Sequence, residues 1–326
     1  MRALVLHSFA GPDGLDVAEL PDPQVGDGVL IDVAAAGLGF PDVLIASGGY
    51  QVRPPLPFVP GMEVTGMVRS APPQSRLRVG ERVTALTGVG GGCAELVVVA
   101  PSHVYPISDA LEVPAAACLV VNYHTAYFAL ARRAGLHSGE TVLVHGAGGG
   151  LGQAVIQVGK ALGARVLAVA GTDQRLAAAR SAGADEVLAA QDDWGQQARD
   201  LTGGRGVDVV LDPVGGDRFA DSVRALAAEG RLVVVGFASG QIPELKMNRL
   251  LLRNVSVVGA AWREFVTDTD PSYARDIADA LNEMVERRLV APRAGAVYPL
   301  HRGAEAMRTL ADRQIDGRAV LITYPR

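Results

Sequence analysis

A chain of 326 residues, 49% hydrophobic and 20% charged, has room for two domains and enough apolar sequence to fill their cores, which excludes a disordered or low-complexity protein. Its formal net charge of −5 argues against a nucleic-acid surface, and its two cysteines, Cys93 and Cys118, lack any Cys-x-x-Cys spacing and exclude a disulfide framework. The N-terminus carries no charged-then-apolar signal pattern and no apolar run reaches transmembrane length, so a cytoplasmic protein is expected.

Residues 1–119 read as mostly β. Short apolar or alternating runs at 3–6, 29–33, 64–68 and 96–99 are separated by Gly and Pro clusters, the spacing of a compact barrel or sandwich. The glycine cluster at 88–92 leads into a strand-like run and is read as a turn. From residue 120 the rhythm changes to alternating strands and helices. A helix is expected over 122–133, strands at 141–144, 165–170, 186–188, 207–211, 231–236 and 255–258, and a helix at 174–182. This alternation predicts an α/β domain with a doubly wound parallel sheet and a ligand at its carboxyl edge. The strand at 255–258 should lie at the edge of that sheet. After residue 261 follow a helix (273–288), a strand near Val297, a helix (304–312) and a closing strand (318–323). This tail is too short to form its own core and is expected to pack back on the first domain. The expected domains are therefore 1–119, 120–260 and a C-terminal segment, 261–326.

The stretch from residue 140 to 152 organises the chain. A β-branched run enters the turn Ala147-Gly148-Gly149-Gly150-Leu151-Gly152, and a helix over 153–162 is expected beyond it. Strand, glycine turn and helix N-terminus in that order form a dinucleotide fingerprint. Gly149 lets backbone approach a pyrophosphate, Gly152 lets helix and strand pack closely, and the helix N-terminus offers unpaired N–H groups to phosphate. Ala147 stands where the first glycine of the pattern is usual.

The residues resemble a known family over essentially the whole chain. Phe40-Pro-Asp-Val-Leu, Ser47-Gly-Gly-Tyr50, Pro60-Gly-Met-Glu-Val-Thr-Gly66 and Asn122-Tyr-His-Thr-Ala-Tyr127 carry the likeness. So do the block 139–160, Asp208-Val-Val-Leu-Asp-Pro-Val-Gly-Gly216 and Gly236-Phe-Ala-Ser-Gly240. The chain is similar to the zinc-free medium-chain dehydrogenases/reductases of the quinone oxidoreductase type. That resemblance implies a GroES-like, mostly-β catalytic domain beside a Rossmann cofactor domain, and a homodimer. Pro41 and Met62 lie near where zinc-dependent relatives carry Cys and His ligands, the four-Cys structural lobe is missing, and the six histidines show no ligand spacing, so no metal site is expected.

The second strand ends at Ala170-Gly171-Thr172 with no carboxylate to repel a 2′-phosphate. Thr172 can donate a hydrogen bond, and Arg175 lies one turn in, where the family often has a basic residue meeting that phosphate. Asp173 is read as the helix N-cap, with a ribose ligand as the alternative. The cofactor implied is NADPH. By resemblance, Tyr50, Asp42 and Thr125 form the catalytic pocket together with Gly39, where many quinone reductases have Asn. Asn122 and Thr125 flank the nicotinamide, and Gly236, Phe237 and Ala238 cover it. Asp42 and Glu63 can also be read as buried hydrogen-bonding or ion-pairing groups. Without a Lewis acid, hydride should pass to a small-molecule quinone or enone. An enoyl-thioester reductase, or an NADPH-binding protein with little turnover, remains the alternative.

Overall fold

In the computed structural model, which describes residues 1–323, the chain divides into two compact units. The first holds residues 1–121, 271–286 and 291–326, and the second 122–270 and 287–290.

The first unit is built on the ten-residue strand Val29–Leu38, whose burial alternates and then becomes continuous. It pairs antiparallel with Glu63–Ser70, Leu96–Val99 and Arg318–Ile322. Register shifts at Leu30/Ile31 and Val33/Ala35 bend it so that one strand serves three partners. Arg82–Leu86, Val104–Pro106 and Ala294–Pro299 complete a seven-stranded sheet, with Arg2–Leu6 and Leu15–Glu19 forming a separate hairpin. The 88–92 cluster is indeed a turn. Helix Gly303–Ala311 sends Ala306, Met307 and Leu310 into the same core as Leu4, Ile31 and Val64, so the C-terminal residues share the first unit's hydrophobic interior.

The second unit is a six-stranded parallel sheet. In spatial order its strands are Glu186–Ala189, Arg165–Ala170, Thr141–His145, Val207–Asp212, Leu226–Val234 and Ser256–Gly259. The order reverses between Thr141–His145 and Val207–Asp212, and a doubly wound sheet opens its ligand crevice at that point. Every residue of Thr141–His145 is buried, as a strand covered on both faces requires. Leu143, Val210, Phe219 and Leu232 fill the core on one side of the sheet. The last strand lies at the edge, as its sequence position suggested.

In the second unit three seven-residue helices, Trp194–Asp200, Phe219–Ala225 and Trp262–Asp268, join those read from the sequence. The run expected as one helix over 122–133 is wound mostly as π-helix, in segments Val120–His124 and Phe128–Arg133 around a short α-turn, Thr125–Tyr127. No helix among the described residues is long and apolar enough to cross a membrane.

Candidate cofactor and substrate sites

In the second unit the helix after the glycine turn begins at Gly150, three residues earlier than its apolar periodicity indicated, because Gly149 is the extended N-cap (φ −79°, ψ 170°). Glycine is a poor helix former, so this first turn is invisible to propensity. Gly150, Leu151 and Gly152 are thus the first three helical residues. Their N–H groups have no intrahelical acceptor and no side chain caps them. A Cβ on Gly152 would fall 2.4 Å from Gly146 O and 2.6 Å from Ala147 Cα, so helix and strand could not close with any other residue there. This backbone cradle fits a pyrophosphate.

The tip of the second strand adjoins the cradle. A Cβ on Gly148 would lie 2.5 Å from Arg175 Cβ, so the glycine turn packs directly on the root of the Arg175 side chain. Gly171 and Thr172 are exposed and Arg175 is half-buried. The N-cap of helix Asp173–Ser181 is Thr172, not Asp173 as expected. Thr172 has extended backbone (φ −141°, ψ 154°) and its Oγ1 accepts from Arg175 N at 3.3 Å, while Asp173 is already helical. In the first turn its negative charge still suits the helix dipole. Accepting through Oγ1 leaves the Thr172 hydroxyl proton available to a ligand.

Asn122 and Thr125 are both buried on the π-wound run. That run is tied to the cradle helix by Tyr123 Oη, which donates to Gln157 Oε1 at 2.9 Å. Gly236, Phe237 and Ala238 follow the strand Leu226–Val234. Phe237 is 40% exposed, and Ala238 N donates to Pro213 O at 3.0 Å. A separate cleft of about 680 Å³ on this unit, bordered by Arg199, Arg224, Lys246 and Arg253, includes none of these residues.

In the first unit, Gly39 caps helix Phe40–Ala46 and Asp42 is its third residue. Both Asp42 oxygens accept backbone N–H groups: Oδ2 from Gly39 at 2.8 Å and Oδ1 from Gly61 at 3.1 Å. Burial pushes the Asp42 carboxyl above its ordinary range, against the pull of Arg318 and these N–H groups. Glu63 is fully buried. Its Oε1 lies 2.5 Å from Arg318 Nη2, and its Oε2 accepts from Val121 N at 2.8 Å. Burial raises its carboxyl too, opposed chiefly by Arg318. Arg318 Nη2 also donates to Gly37 O at 3.0 Å. Gly39, Asp42, Glu63 and Arg318 therefore form one buried polar group. Tyr50 is half-buried on the bend beyond the helix, with no side-chain hydrogen bond among the described residues.

Arg318 escaped the sequence reading. Its only signal was a charged residue opening an otherwise apolar closing strand. Asp212 and His145, at the ends of the two central strands of the second unit, were also passed over as site residues. Among the described residues, no group of three or more His, Cys, Asp or Glu side chains could hold a metal ion.

Known proteins with the same plan share this arrangement of sequence. The pattern described as Zinc-binding dehydrogenase matches residues 150–282, and that described as Alcohol dehydrogenase GroES-like domain matches residues 26–109. Quinone oxidoreductase-like protein 2 of Bos taurus is 38% identical over 92% of the chain and 86% of its own length. A probable oxidoreductase from Mycobacterium abscessus superposes with a TM-score of 0.91 at 42% identity, covering 99% of both chains. A mycobacterial protein solved in complex with NADPH has a TM-score of 0.89 at 31% identity, covering 99% of this chain and 100% of its own.

Proposed function

Because the chain belongs to the medium-chain dehydrogenases/reductases of the quinone oxidoreductase type, we propose that it is an NADPH-dependent, metal-independent oxidoreductase acting on a quinone or an α,β-unsaturated carbonyl. The carrying observation is the packing of Gly148 on Arg175, beside a strand tip that offers a hydroxyl and no carboxylate. A 2′-phosphate would meet Thr172 and Arg175 there. The NADPH held by the mycobacterial structure accords with this reading.

The bound cofactor supplies hydride. The chain's own residues hold and orient it. Ala147, Gly148 and Gly149 shape the turn, and the N–H groups of Gly150, Leu151 and Gly152 receive the pyrophosphate. Gly171 leaves room beside the adenosine ribose. Asn122 and Thr125 flank the nicotinamide, and Gly236, Phe237 and Ala238 cover it. Tyr50, as the resemblance implies, would donate to the acceptor oxygen or stack on its ring. Asp42 serves the substrate side by fixing the backbone at Gly39 and Gly61. A catalytic zinc needs about three protein ligands, and Pro41 and Met62 supply none where relatives have them, so the acceptor must be electrophilic in itself. The free, buried Cys93 and Cys118 suit a reducing compartment, and we place the chain in the cytoplasm.

Side-by-side rates of NADPH oxidation with quinones, alkenals and crotonyl thioesters test this reading. Fast turnover of quinones or alkenals is expected. Preference for the thioester would make the chain an enoyl-thioester reductase, and no turnover with any acceptor would leave an NADPH-binding protein.

A further inference from the structure

Two buried polar side chains meet where the order of the parallel sheet reverses. Leu211 pairs with Val144 across the two central strands, and the next step along each places Asp212 beside His145 at their carboxyl ends. Both residues are buried, His145 completely. His145 Nε2 lies 2.8 Å from Ser222 Oγ, and Ser222 donates its own proton to Arg218 O at 3.0 Å. Ser222 must then accept from His145, which puts the imidazole proton on Nε2 and leaves Nδ1 a bare acceptor. His145 Nδ1 and Asp212 Oδ2 are both buried without a hydrogen-bond partner.

The other Asp212 oxygen organises the neighbouring loops. Oδ1 accepts from Val214 N at 2.8 Å and Gly215 N at 2.9 Å, and the Asp212 carbonyl accepts from Val235 N at 3.0 Å. The turn so formed carries the segment after the fifth strand. Pro213 O accepts from Ala238 N at 3.0 Å, Val214 O accepts from Ser239 N at 2.9 Å, and Gln241 O accepts from Gly216 N at 3.2 Å. A Cβ on Gly215 would lie 2.9 Å from the Phe237 ring. On its other side the turn touches the cofactor loop, since a Cβ on Gly146 would be 3.2 Å from Val214 Cγ2. One carboxylate thus fixes the segment that joins the glycine turn to Phe237 and Ala238.

We propose that Asp212 is a positioning residue for the nicotinamide half of the cofactor, holding the 213–216 turn and, through it, residues 237–241. The inference rests on the reading that Phe237 and Ala238 cover the nicotinamide. It separates the two ends of the site: Thr172 and Arg175 grip the adenosine half without help from Asp212.

The test compares Asp212→Ala and Asp212→Asn with the wild type, using whichever of NADPH and NADH the wild type binds more tightly. Dissociation constants are measured for that cofactor and for its fragment without nicotinamide (2′,5′-ADP or 5′-ADP), together with the fluorescence of the bound reduced nicotinamide. Asp212→Ala removes two hydrogen bonds and should weaken the whole cofactor about tenfold. It should shift the nicotinamide emission toward that of free cofactor while changing fragment binding less than about twofold. Asp212→Asn should keep wild-type values, because its carbonyl can accept both N–H groups. If Asp212→Ala does not fold, Asp212→Ser, with one short acceptor, should give the same selective loss. Equal weakening of cofactor and fragment, or no change in either, overturns the inference. A wild type that binds fragment and whole cofactor equally well would instead overturn the reading of residues 237–238 on which it rests.

Discussion

A Cβ on Gly39 would come within 2.6 Å of Arg318 Nη1, so the guanidinium occupies the space a side chain at position 39 would need. Gly39 has extended backbone (φ −136°, ψ −175°) that any residue can adopt, so this close approach, and not conformation, restricts the position. Asn, which the family resemblance suggests for this position, would have to push aside a guanidinium already committed to Glu63 and Gly37 O. Gly39→Asn should therefore destabilise the protein by about 1–3 kcal/mol, the usual cost of overpacking. Arg318→Met, which leaves Glu63 buried without its cation, should cost about 3–5 kcal/mol. Adding Gly39→Asn to the pair Glu63→Gln/Arg318→Met should cost less than in the wild type, as measured by denaturant unfolding. An equal cost in both backgrounds would mean that Arg318 is not the obstacle.

The proposed contact of Arg175 with the 2′-phosphate can be tested through cofactor preference. If it meets the 2′-phosphate, Arg175→Ala should weaken NADPH about tenfold or more and leave NADH nearly unchanged. A hydrogen bond to a charged group contributes about 1.5–3 kcal/mol, and about 1.4 kcal/mol is tenfold in affinity. Titrating both cofactors against both proteins gives a ratio from which general damage cancels. A ratio within about twofold of wild type would remove Arg175 from the site. A wild type that prefers NADH would reverse the assignment and turn attention to Asp173.

The glycine turn and the parallel sheet were legible because their signals are local: a buried apolar run, a fixed glycine spacing, a helical period. The alternation implied a doubly wound parallel sheet, while the spatial order of its strands came only with the structure. What escaped depends on contacts between residues far apart in sequence. Nothing in Arg318-Ala-Val-Leu-Ile announces that its arginine will neutralise Glu63, and Ser222 reveals no tie to His145 until helix Phe219–Ala225 packs on the sheet. That helix and Trp194–Asp200 are seven residues each, too short for a clear period. Thr172 outdid Asp173 as cap because the cap position is set by where the strand ends, which residue type alone does not specify.

The buried histidines should make the protein acid-sensitive. Burial pushes His145 down to about 4, with Asp212 opposing the shift and Arg218 adding to it. His145 is then neutral in the folded state, while the unfolded chain takes up a proton below about pH 6.5. Stability should be full above that pH and fall as pH drops toward 4, by an amount on the order of 3 kcal/mol from this residue. Asp42 and Glu63, whose carboxyls are raised by burial, favour the folded state on acidification and oppose the trend. Unfolding free energies at pH 7 and pH 4.5 for wild type and His145→Gln isolate the histidine, because the carboxylates cancel in the difference. The variant should lose less stability between the two pH values, and parallel losses would refute the assignment.

The homodimer that the family resemblance implies has a physical motive at the edge of the cofactor sheet. Among the described residues Ser256–Gly259 has a neighbour on one side only, and an unpaired strand edge is a template for a second chain. Val257 on that strand is 40% exposed, and Leu251 and Leu252 just before it are 74% and 81% exposed, apolar surface that a partner copy would cover. Light scattering should report twice the chain mass of 33.9 kDa. A mass of one chain at working concentrations would rule the dimer out.

The proposed function requires that this chain move hydride from NADPH without a metal. The measurement is NADPH oxidation by chelator-treated, metal-free protein with the fastest acceptor of the quinone and enone series, run with NADPH and with NADPH deuterated at the transferring C4 position. The result expected is full turnover after metal removal and a slower rate with the deuterated cofactor. Loss of turnover on removing stoichiometric zinc, or no consumption of NADPH with any acceptor, would contradict it.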